Sequence, residues 1–86
     1  MVVVHRARGY RFVIYTQDHA PAHVHLVGEG HAKVDLLGPD GRPVLVYSVG
    51  VPRGELRRLM RAVDERRTAF LAEWERIHGP ADGRGA

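Results

Sequence analysis

The chain has 86 residues, of which 44% are hydrophobic and 27% charged, and it contains 6 histidines and no cysteine. That length holds one small domain with a modest core, and the composition excludes wholesale disorder. The lack of cysteine excludes a disulfide framework, a thiolate nucleophile and cysteine-ligated zinc.

The opening Met1-Val2-Val3-Val4-His5-Arg6 becomes charged too quickly for a secretory signal. No apolar run approaches the ~18 residues needed to cross a bilayer. A cytoplasmic location without membrane contact is therefore expected. Tyr10 to Thr16 alternates as a strand does, with Tyr10, Phe12 and Ile14 on one side and Arg11, Val13 and Tyr15 on the other. Gln17 to Ala22 reads as a loop, because Pro21 has no N–H for a ladder and holds the residue before it extended.

Further strands are expected at His23–Val27, His31–Leu37 and Pro43–Val49, joined by Gly28-Glu29-Gly30 and Pro39-Asp40-Gly41. Both connectors resemble three-residue hairpin loops. The first loop pairs Val27 with His31, so His25 faces Lys33 and His23 faces Asp35. The second pairs Gly38 with Arg42, so Val34 faces Val46 and Leu36 faces Val44. Alternation then gives a core face of Val24, Leu26, Ala32, Val34, Leu36, Val44 and Val46. The opposite face carries His23, His25, His31, Lys33 and Asp35, with Leu45, Tyr47 and Val49 as an apolar ridge.

A helix is expected from Pro52, a residue favoured in a first turn, to His78, where Gly79-Pro80 stops it. Leu56, Leu59, Met60, Val63, Phe70, Leu71, Trp74 and Ile77 form its apolar stripe. At 1.5 Å per residue, roughly 26 residues span about 39 Å, more than a four-stranded sheet requires. Arg67 interrupts the stripe and calls for snorkelling, a bend or a carboxylate. The expected fold is α+β: a four-stranded, mostly antiparallel sheet (β-β-β-β-α) with one long C-terminal helix on one face. Residues 1–78 make the single domain, and 79–86 a loose tail.

Chemistry concentrates in Asp18-His19-Ala20-Pro21-Ala22-His23-Val24-His25. His23 and His25, two apart on a strand, project from one face. Neutral imidazole with carboxylate suits a divalent transition metal, with His23, His25, Asp35 and His19 as candidate ligands. The same groups suit acid–base cleavage of a phosphodiester, with His23, His25, Asp18 and His19 as candidates. A third reading is a polar groove for a protein partner. The plainest account makes them half-exposed polar residues, since His-x-His alone is a weak signal.

The net charge is +3, which permits nucleic-acid binding without requiring it. Arg53, Arg57 and Arg61, beside Arg58, recur along one helix face and could follow a phosphate backbone. A solvated face is the commoner meaning of such a stripe, and no aromatic interleaves with these arginines. The ridge of Leu45, Tyr47 and Val49 calls for a cover, naturally a homo-oligomer or a second small protein. Ser48 is the only serine and points to the core, which argues against serine catalysis.

Arg6, Gly9, the aromatic strand Tyr10–Tyr15 and the run from Asp18 to His25 together resemble a bacterial family, domain of unknown function 4160. That family's signature reads Asp-His-Pro-Pro-Pro-His-Phe-His; here Ala20 and Ala22 replace prolines, while Asp18, His19, His23 and His25 are kept. Phe70-Leu71-Ala72-Glu73-Trp74-Glu75-Arg76 is similar to the family's closing helix. The resemblance implies a short opening strand and signature positions at Asp18, His19, His23 and His25, without assigning them a role. It also implies a small bacterial protein often encoded beside another, hence a toxin–antitoxin-like pair working by protein contact; the histidine face would be its working surface, and the apolar ridge makes Leu45 and Tyr47 the candidate contacts. The alternatives are a histidine-based or metal-dependent RNA hydrolase, and a nucleic-acid-binding module using Arg53, Arg57 and Arg61.

Overall fold

In the computed structural model, which describes residues 1–79, the chain begins with a hairpin of Val2–Ala7 (β1) and Tyr10–Ile14 (β2). Its two-residue turn places Arg8 at φ 54° and Gly9 at φ 80°, the left-handed pair that a type I′ turn requires. His23–Val27 (β3), His31–Asp35 (β4) and Val44–Val49 (β5) follow. The sheet is antiparallel throughout in the order β1-β2-β3-β4-β5. The expected sheet thus gains a strand, because β1 pairs along the open edge of β2.

The first hairpin loop sets the expected register: Val27 pairs with His31, His25 with Lys33 and His23 with Asp35. Gly30 must be glycine there, since a Cβ would lie 2.4 Å from the Gly50 carbonyl oxygen. The second loop also closes as expected, with Gly38 N–H donating to the Arg42 carbonyl at 2.8 Å. The ladder beyond it differs, however. Lys33 pairs with Tyr47 but Val34 pairs with Leu45, so Val46 is extra. Such a bulge flips the faces of the residues beyond it. Leu45 therefore packs against the core, while Val44 and Val46 are exposed. This corrects both the expected core positions of Val44 and Val46 and the place of Leu45 in the ridge; Tyr47 and Val49 stay exposed.

The expected single helix is two, Arg53–Glu65 (α1) and Arg67–His78 (α2). Arg66 leaves the helical region at φ −110°, ψ 12°, although its N–H still donates to the Ala62 carbonyl oxygen at 3.1 Å and its carbonyl accepts from Phe70 N–H at 2.9 Å. Arg67 explains itself at this bend, its Nη1 donating to the carbonyl oxygen of Gly41. Phe12, Ile14, Val24, Leu26, Val34 and Leu36 from the sheet enclose one core with Leu59, Val63, Phe70 and Trp74 from the helices. Burial of each such side chain contributes roughly 1.5–3 kcal/mol. Both helices thus cover one face of the sheet. By alternation Arg11, Val13, His23, His25, His31, Lys33, Asp35 and Tyr47 point to the other face, where Val13 and His23 are nonetheless buried. Apart from Gly79, the expected tail lies outside the described residues.

Candidate metal centre

A reciprocal clamp follows β2. Asp18 N–H donates to the Tyr15 carbonyl at 3.0 Å, and Tyr15 N–H donates to Asp18 Oδ2 at 3.0 Å. The loop thereby folds Asp18 back over the start of β3. His23 Nε2 lies 3.3 Å from Asp18 Oδ2, and His25 Nε2 lies 3.5 Å from Oδ1. One donor atom from each of the three residues falls within 4.8 Å of the others.

The tautomer of His23 can be assigned. Its Nδ1 sits 2.8 Å from the Pro21 carbonyl oxygen, which can only accept, so Nδ1 carries a hydrogen. In the neutral ring Nε2 then offers a lone pair toward a carboxylate. His23 is only 4% exposed, so two facing acceptors there need a proton or a cation between them. His25 Nε2 is buried without a hydrogen-bond partner. Burial lowers the His25 pKa first; Asp18 opposes this, while His23 and Lys33 add to it. The ring therefore favours the neutral form that ligates metal.

The rings are fixed by their neighbours. Tyr15 meets His25 edge-on at 4.8 Å, His25 meets His23 at 5.0 Å, and His23 lies 5.1 Å from Trp74. Trp74 in turn lies 4.2 Å from His78, whose Nε2 is 3.1 Å from the Tyr15 carbonyl oxygen. The circuit ties both imidazoles to the clamp and to α2, the rigidity that a ligand set requires.

The other candidates stand elsewhere. His19 is exposed in the loop and outside the cluster. Asp35 is paired with His23 across β3 and β4 but is not among the clustered ligands; its Oδ1 is buried without a partner. Arg53, Arg57 and Arg61 are exposed on α1, on the helical side of the sheet, and Arg57 and Arg61 flank a hollow with Arg42 and Asp64. Tyr15, Trp74, His78 and the Pro21 carbonyl were missed as parts of the site. Tyr15 follows a strand, Trp74 belongs to the apolar stripe and His78 ends α2, and the second role of each depends on tertiary contact.

These features define a class: a small α+β domain with helices on one face of a five-stranded antiparallel sheet and an Asp-His-His cluster at the head of its central strand. The chain belongs to the family described as Domain of unknown function (DUF4160), which it matches over residues 9–75. No curated protein and no solved structure matches it. Among the described residues no helix is long and apolar enough to cross a membrane.

Proposed function

We propose that Asp18, His23 and His25 bind one divalent transition metal, zinc by their donor chemistry, in a site that leaves a coordination position for water. A single observation carries this reading. With ligands at about 2.1 Å, a tetrahedral zinc site separates neighbouring donors by about 3.4 Å. The carboxylate-to-imidazole separations are 3.3 Å, from Oδ2 to His23, and 3.5 Å, from Oδ1 to His25, and one donor atom from each residue lies within 4.8 Å of the others, so the three side chains would close by about an ångström onto an ion. A charge-assisted N–H···O bond would be shorter, near 2.7–2.9 Å. The His23 Nδ1–H···O=C bond supports the same reading, as the outer contact that orients a ligating histidine.

Three protein ligands with an open fourth position are the arrangement of catalytic rather than structural zinc. An ion held by Asp18, His23 and His25 would supply Lewis acidity, making a water nucleophilic near neutral pH. Hydrolysis of an ester or phosphoester then balances simply. The water oxygen bonds to the electrophilic centre, the bond to the leaving oxygen breaks, and the water's proton passes to that oxygen.

Calorimetric titration of chelator-treated protein with zinc tests the site. One site per chain is expected in the wild type, lost in His25→Ala. Zinc binding that is unchanged by this substitution, or absent from folded wild type, refutes it. A second reading, contact with a partner protein in a toxin–antitoxin-like pair, rests on a separate observation. Edge strand β5 exposes Val44, Val46, Tyr47 and Val49, a row suited to another chain. Tyr47→Asp should then weaken assembly whether or not metal is present.

A further inference from the structure

Arg6 and Arg11 are directly opposite one another on β1 and β2. Like charges facing across a strand pair oppose folding, and no carboxylate among the described residues forms an ion pair with either. Together with Arg8 they line a hollow of about 570 Å³. Of the three, Arg8 alone is neutralised, by Glu55 of α1. A destabilising pair left without a counter-charge points to an anion supplied from outside.

The register sets this pair beside the Asp-His-His cluster. Arg11 pairs with Val27, and Val13 with His25, so Arg11 and His25 share the open face one strand apart and two residues along. With strands about 4.8 Å apart and a rise of about 3.4 Å per residue, their backbones are about 8 Å apart. Lys33, opposite His25, extends the cationic surface across β4, and the imidazole of His31 lies opposite Val27. Tyr15 and Tyr47, 37% and 43% exposed, frame a second hollow with His25 and His31. The face thus offers cations for phosphates and aromatic edges and faces for unpaired bases.

We propose that Arg6 and Arg11 form a phosphate subsite, and that the open sheet face binds single-stranded RNA, with Tyr15 and Tyr47 as stacking groups. Aromatic side chains on an uncovered sheet are a general means of holding splayed bases. The hydroxyls of Tyr15 and Tyr47 and the imidazole of His31 supply partners for the ribose 2′-hydroxyl, which DNA lacks. The α1 arginines have neither aromatics nor the cluster beside them. This inference deepens the metal reading by naming its substrate, but the binding itself uses no metal.

Fluorescence anisotropy of a labelled rU12 oligonucleotide, titrated with the full chain in chelator, tests it. Affinity should fall steeply with salt, and the log–log slope should drop by about one for each arginine removed. Arg6→Glu should weaken rU12 binding about tenfold or more while keeping or raising Tm, because it replaces a like-charge pair with an ion pair. Arg11→Gln supplies an independent variant, and Tyr47→Ala should weaken binding about fivefold or more. Arg53→Glu, an equal change in net charge on α1, should stay within about twofold. No binding of rU12, equal loss from Arg53→Glu, or indifference to Arg6→Glu and Arg11→Gln overturns the subsite. Equal affinity for dT12 overturns the choice of RNA. The chelator separates this result from the zinc titration, so either reading can fail alone.

Discussion

Asp18→Asn separates a metal site from a hydrogen-bonded cluster. Asparagine keeps the shape of the side chain and an oxygen for the Tyr15 N–H, but removes the negative charge between His23 and His25. A metal that binds only the folded state at 100 times its dissociation constant stabilises it by about 2.7 kcal/mol. Unfolding entropy of about 2.1 cal/mol/K per residue gives about 0.18 kcal/mol/K for 86 residues. The wild-type Tm should therefore rise by about 15 °C at that zinc concentration. Loss of an outer partner costs 10–100-fold in affinity, so loss of a ligand should cost at least about 100-fold. At the same zinc concentration the variant then gains only about 0.4 kcal/mol, or about 2 °C. Melting curves by circular dichroism, with zinc and with chelator, read both shifts. Equal shifts in the two proteins, or none in the wild type, would refute the assignment of Asp18 as a ligand.

Other outcomes follow from single contacts. Burial lowers the pKa of His25, and burial followed by the Arg66 charge lowers that of His5. Below pH 6.5 the unfolded chain takes up protons that these rings resist, so metal-free stability should fall as pH drops from 6.5 toward their folded values. Chemical denaturation in chelator should show this slope reduced in His5→Gln, and an unchanged slope would contradict the cause given. Tyr10→Phe strands the buried Gly30 N–H, which donates to Tyr10 Oη at 3.2 Å, and should destabilise by about 1–3 kcal/mol. A urea midpoint equal to wild type would deny that bond. Gly30→Ala drives a Cβ into the backbone at Gly50 and should cost more than a surface substitution's ~0.5 kcal/mol; hydrogen exchange should locate the damage at the β4–β5 end, and protection unchanged there would count against it.

How legible was this molecule in its sequence? The β3–β4 hairpin was, because glycines at 28 and 30 fix the loop and alternation from His23 to Asp35 permits one register. That alternation also brought His23 and His25 to one face. The first strand, implied by the resemblance, was hidden in the residue pattern because Val2-Val3-Val4 has no period of two, and the ladder shifts between Val3 and His5. Its turn also carries arginine where asparagine or glycine would announce a hairpin. β5 misled because apolar residues occupy both of its faces, so nothing in its pattern marks Val46 as extra. The helix break at Arg66 has no proline or glycine to signal it, and the contact beside it, from Arg67 to the Gly41 carbonyl, is tertiary. Asp18 was visible as a signature residue, but its placement between two imidazoles depends on the Tyr15–Asp18 clamp. That clamp is a tertiary event, and spacing alone favoured Asp35, the strand neighbour of His23.

The most direct measurement is elemental analysis joined to zinc-edge X-ray absorption on tag-free, zinc-loaded protein. The account predicts about one zinc per chain, with nitrogen and oxygen ligands at about 2.0–2.2 Å and imidazole scattering, both lost in His23→Ala/His25→Ala that remains folded. Folded wild-type protein that retains no zinc, or a spectrum the double substitution leaves unchanged, would contradict it.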